Sequence, residues 1–105
     1  MFDRAAVIDM LGDEDLFKEL GSMYIADAPG YLTELDAALA AEDWPRVARS
    51  AHTLKGLFAT FAANEAERDG RLLEQGATNG DAAQCAQFAP LVRAHTNSLA
   101  RAMAA

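Results

Sequence analysis

The chain holds two histidines, His52 and His95, each inside an Ala-His-Thr triplet. Their surroundings differ. His52 lies in the run SAHTLKG, Ser50 to Gly56, with Lys55 three residues on and Gly56 four residues on. His95 runs on into Asn97, Ser98 and Leu99 and has neither companion. On a helix, residues three and four apart share a face. An imidazole, an ammonium group and a position without a side chain would therefore stand together. A neutral imidazole is a competent nucleophile and is abundant near neutral pH. Lysine offers a point charge with rotatable donors, suited to a phosphoryl oxygen. Phosphoryl transfer depends on positioning and charge neutralisation more than on covalent help. A glycine inside a helix costs about 1 kcal/mol relative to alanine; close access to the imidazole by another protein would offset that cost.

These residues need a helix with a buried stripe beside them. From Asp43 onward the apolar residues Val47, Ala51, Leu54, Phe58 and Phe61 recur at spacings of four, three, four and three, a clean amphipathic pattern. At about 100° per residue, His52 falls one step beyond Ala51, at the edge of that stripe, and is expected to be exposed. Asp43 is a candidate N-cap, and Pro45 sits in the first turn, where its missing N–H costs little. Upstream, Asp13 is a second cap candidate, with Glu14 and Asp15 at the positive end of the helix dipole. The following helix carries Leu16, Leu20, Tyr24, Ala28, Tyr31, Leu35 and Leu39 as its inward stripe, and Pro29-Gly30 is expected to kink it rather than end it. Asn64 is read as the cap of the next helix, with Ala66, Leu72 and Leu73 inward. Asp81 is read as the cap of the last, with Leu91, Val92, Leu99 and Met103 inward and Pro90 bending it. The pattern predicts helices over roughly 3–11, 14–41, 44–62, 64–77 and 81–104. The expectation is an all-α single domain: an antiparallel up-and-down four-helix bundle with a short N-terminal capping helix.

Composition narrows the function. The chain has 105 residues and a net charge of −7, which argues against nucleic-acid and acidic-membrane partners. Cys85 is the single cysteine, so no intrachain disulfide forms, and it reads as a small core residue. No apolar leader or membrane-length run occurs, which favours a cytoplasmic protein. No histidine, cysteine or carboxylate spacing suggests a metal site. No Walker-type loop or kinase signature is present, so phosphoryl chemistry here would be that of a carrier without its own ATP site, not of an enzyme. His95 reads as an ordinary surface or boundary residue of a helix.

At His52-Thr53-Leu54-Lys55-Gly56 the chain resembles the histidine-containing phosphotransfer (HPt) domain family, whose core pattern is His-x-x-Lys-Gly on the second long helix of a bundle. The stretches MYIADAPGYLTELDAAL, DWPRVARSAHTLKG and LLE extend the resemblance over roughly residues 10–75, the last helix matching only in kind. The resemblance implies that His52 carries a phosphoryl group on Nε2, that Lys55 pairs with it and that Gly56 leaves room. It implies that Glu74 orients the ring from the next helix. It further implies response-regulator receiver domains and a hybrid sensor histidine kinase as partners, with Mg²⁺ held by the receiver, no cofactor on this chain, and a monomer. Met23, Asp27, Thr53 and Leu57 are candidate docking residues around His52. Arg68 and Arg71 are candidates for added positive potential. The chain departs from the family in carrying Leu57 and Phe58 after the glycine, and Asp69 where an apolar residue is frequent.

Three other readings compete. A phosphorylation-independent docking or inhibitory module would bind a receiver or kinase and block it. A plain helical adaptor would bind a partner in a groove. A fragment of a chemotaxis-type kinase would share this domain, although Met1 and the compact ending favour a freestanding protein.

Overall fold

A computed structural model describes residues 2–104; Met1, on which the freestanding expectation rests, lies outside them, as does Ala105. Each helix begins and ends for a local reason. The Asp3 carboxylate accepts the Ala6 N–H at 3.0 Å and starts α1 (Arg4–Leu11). Gly12 closes α1 at φ 75°, a left-handed conformation that glycine adopts without a Cβ penalty. The Asp13 carboxylate accepts the N–H groups of Asp15 and Leu16 at 2.8 and 3.3 Å and starts α2 (Glu14–Ala40), which continues across Pro29. Asp43 accepts the Arg46 N–H at 3.3 Å and starts α3 (Trp44–Thr60). Asp81 accepts the Gln84 N–H at 3.0 Å ahead of α5 (Ala82–Ala104).

One cap falls elsewhere than the sequence suggests. In α4 (Asn64–Thr78) Asn64 is already helical and Ala63 is the cap, with no side chain bonded there. The reason is the connection before it. Ala62 turns the chain at φ 52°, the Ala63 N–H returns to the Phe58 carbonyl at 2.9 Å, and the Ala63 carbonyl accepts the first helical bond, from Glu67, at 2.9 Å.

Among the described residues there are five helices and no strand. α2 packs on α3 and α5, α4 packs on α3 and α5, and α1 packs on α2 alone; α3 and α4 share the most extensive contact. Val47, Ala51, Leu54, Phe58 and Phe61 are all buried, as their spacing predicts. In α2, Tyr24, Ala28 and Leu35 are buried, Leu20, Tyr31 and Leu39 pack partly against the core, and Leu16 is 38% exposed. Phe17 takes the inward place instead. It lies seven residues before Tyr24, only about 20° off on the wheel, whereas Leu16 lies about 80° off. The same correction applies in α5. Val92, seven residues before Leu99, is buried, and Leu91 is exposed. Phe17 stacks on Phe2 and meets Phe61 edge-on, and Phe61 also meets Tyr24 edge-on at 5.8 Å. The Tyr24 hydroxyl donates to the Thr96 carbonyl at 2.9 Å, tying α2 to α5 inside the core. Burial pushes the Tyr24 phenol up to about 12 against the opposing effect of that hydrogen bond.

Among the described residues, no helix is long and apolar enough to cross a membrane. Nor do any three or more His, Cys, Asp or Glu side chains gather where they could hold a metal ion.

Candidate functional site

The buried stripe of α3 fixes where its polar residues point. Ala51 and Leu54 are fully buried, and His52, between them on the chain, is turned outward with 68% of its side chain exposed. Gly56, one turn further along the same face, has nothing within 4 Å of the place a Cβ would occupy. The gap expected beside the imidazole therefore opens onto free space.

Glu74 reaches across from α4 and divides its two oxygens. Oε2 lies 2.9 Å from His52 Nδ1, and Oε1 accepts from the Lys55 ammonium at 2.7 Å. One carboxylate thus bridges two residues that stand a turn apart on the neighbouring helix. Partial burial works to raise the Glu74 carboxyl, but the hydrogen bonds and charges of Lys55 and His52 outweigh it and hold its pKa below the usual carboxylate range. An ionised carboxylate only accepts hydrogen bonds. The proton between the two groups therefore belongs to Nδ1, and in the neutral ring the lone pair belongs to Nε2, the nitrogen away from Glu74. Lys55 is half-buried and engaged with Glu74 rather than extended into solvent.

The remaining candidates are spread more widely. Thr53 shares a shallow cleft between α2 and α3 with Tyr31, Glu34, Arg46, Arg49 and Ser50. Arg46 donates to Glu34 there at 3.1 Å. Leu57 is half-buried against the core, whereas Met23, 55% exposed, and Asp27 stand on the outer side of α2. Arg71 is exposed on α4, one turn before Glu74. Arg68 is drawn to Asp69, Nη2 to Oδ1 at 3.2 Å.

Asp69 and His95 form a pair of their own, which the sequence does not signal. Asp69 is buried, with 3% of its side chain exposed, and its Oδ2 lies 2.8 Å from His95 Nε2. His95 is a half-buried boundary residue that joins α5 to α4 and meets Phe58 edge-on. The carboxylate that looks out of place among apolar neighbours is there for this histidine. The pairing spans 26 positions, and neither local periodicity nor a short motif signals it.

The site is a bundle of helices with an outward imidazole, braced by a carboxylate from the next helix. Comparison with known families places it further: the Hpt domain profile matches residues 19–104, and the chain belongs to that family. The match runs through α5, beyond the part of the chain whose motifs carry the resemblance. Neither the curated proteins nor the solved structures compared with the chain include a significant match. Members of the family serve histidine phosphotransfer in phosphorelays, as carriers without catalytic activity of their own, and interact with receiver domains and kinases.

Proposed function

We propose that this chain is a phosphocarrier in which Nε2 of His52 accepts a phosphoryl group from an aspartate of a receiver domain, or from a hybrid sensor histidine kinase, and returns it to another receiver aspartate. The observation that carries this reading is the Glu74 bridge, which places the proton on Nδ1 and leaves the Nε2 lone pair on an exposed ring. As the Nε2–P bond forms, the P–O bond to the aspartate breaks and the carboxylate leaves with its electron pair. When bound to the receiver, Mg²⁺ would supply charge neutralisation of the phosphoryl oxygens. Lys55, one turn from His52, supplies a cation once it turns from Glu74 toward the phosphoryl group. Gly56 gives the partner room. Thr53 and Leu57 on α3, with Met23 and Asp27 on α2, form the docking rim, while Arg68 and Arg71 add positive potential from α4.

The domain is read as one antiparallel up-and-down bundle, acting as a cytoplasmic monomer. Its short connections and the ring of contacts from α2 through α3, α4 and α5 support that arrangement.

The test is incubation with a phosphorylated receiver. Acid-labile, base-stable phosphate should appear on wild-type protein and vanish in His52→Gln. Absence of label on wild type, or undiminished label on His52→Gln, overturns the reading. A His52→Gln protein that keeps both receiver affinity and biological output would favour the phosphorylation-independent docking or inhibitory module instead.

A further inference from the structure

Gly70 sits within α4, away from either end and without a positive φ. No turn or unusual backbone requires it there, and a glycine in that setting costs about 1 kcal/mol against alanine. Its surroundings supply the reason. A Cβ at this position would lie 3.2 Å from Lys55 Cβ, 3.4 Å from Lys55 Cα and 3.6 Å from Lys55 N. These atoms are the root and backbone of Lys55, not its flexible head. A side chain at position 70 can be admitted only if α3 and α4 move apart or slide.

Gly70 is also one turn before Glu74 on the same face of α4. This close contact between the helices therefore adjoins the carboxylate that crosses between them. Glu74 serves His52 at 2.9 Å and Lys55 at 2.7 Å simultaneously. A carboxylate with one partner can follow it through rotamer changes. One with two partners on a neighbouring helix has little freedom to do so. About 0.3 Å of added separation takes the His52 bond to the edge of the usual range, about 3.2 Å, and about 0.5 Å does so for the Lys55 bond.

We propose that Gly70 is a positioning residue for His52: its missing side chain sets the spacing of α3 and α4 at which a single carboxylate holds both the imidazole Nδ1 proton and the Lys55 ammonium. Gly56 is the opposite case. It faces open space, so the two helical glycines of the site have different duties, one inside the bundle and one outside. The consequence for phosphorylation rests on the carrier reading; the consequence for the ring does not.

Two measurements test this. The first is the tautomer of His52 in ¹⁵N-labelled protein at a pH where the ring is neutral, followed by imidazole nitrogen shifts. Gly70→Ala should lower the fraction protonated on Nδ1, toward the value in Glu74→Gln. The second is the rate of His52 phosphorylation by phosphoramidate, a small donor that needs no docking surface. Gly70→Ala should slow it about three- to tenfold in the wild-type background and change it less than twofold in the Glu74→Gln background. A purely structural defect would slow both backgrounds alike. If Gly70→Ala is poorly folded, trimethylamine N-oxide restores the compact state for the same measurements. An unchanged tautomer in the folded variant, or equal slowing in both backgrounds, overturns the inference. Failure of wild-type protein to take label overturns the carrier reading and leaves the tautomer measurement to decide on Gly70.

Discussion

Replacing Gly56 with alanine should make the protein more stable and less useful. Gly56 lies in the interior of α3 and has ordinary helical φ. Alanine there gains about 1 kcal/mol, partly by restricting the unfolded chain. No steric cost offsets the gain, because nothing approaches within 4 Å of the added methyl. For a domain of this length, 1 kcal/mol corresponds to roughly 4–8 °C in Tm. Urea unfolding followed by far-ultraviolet circular dichroism should show a higher midpoint at unchanged slope. The same methyl stands one turn from His52, on the face a partner must cover. An unwanted methyl in a close interface costs about 1–3 kcal/mol, so transfer from a phosphorylated receiver should slow about tenfold or more. A destabilised variant would show that Gly56 is needed by the fold. A stabilised variant that transfers as fast as wild type would show that the gap serves no partner. Either result refutes the reasoning.

Asp69→Ala should cost about 1.5–3 kcal/mol in chemical denaturation, since it removes the hydrogen bond between a buried carboxylate and a half-buried His95. Tyr24→Phe should cost about 1 kcal/mol through the lost bond to the Thr96 carbonyl. The raised Tyr24 pKa adds a pH dependence. Stability from this group is complete below about 10, where the unfolded phenol begins to ionise, and falls as pH rises toward about 12, where the folded one does. Wild type should lose stability over that window and Tyr24→Phe should lose less. At the acidic end, the depressed Glu74 pKa contributes stability that is present above the ordinary carboxylate range and lost as pH falls below it. Glu74→Gln should flatten that limb of the denaturation profile. Burial pushes the Cys85 thiol up, so an aromatic disulfide reagent should modify it only as fast as the domain opens; prompt modification of folded protein would contradict its burial.

Much of the site could be read from α3 alone. The spacing of Val47, Ala51, Leu54, Phe58 and Phe61 leaves one angular place for His52, and that place is outward. Polar capping is equally local, so Asp13, Asp43 and Asp81 announce themselves. Where two large apolar residues adjoin, as in Leu16-Phe17 and Leu91-Val92, the pattern admits both, and packing against Phe61 or beside Leu99 decides. The Asn64 cap failed because the turn at Ala62 moved the helix start one residue earlier. The Asp69–His95 pair and the closeness of Gly70 to Lys55 depend on how helices meet, and no single stretch of chain records that.

Two carboxylates of α4 point to different neighbours: Glu74 grips a histidine of α3, and Asp69 grips one of α5. They act on the helix as two set screws act on a shaft. Turning α4 to tighten one grip loosens the other, so the two pairings together restrain its angular setting. The outward ring of His52 is therefore aimed in part by a residue pair elsewhere on the same helix, and a change at His95 should be felt at His52 without any direct contact between them.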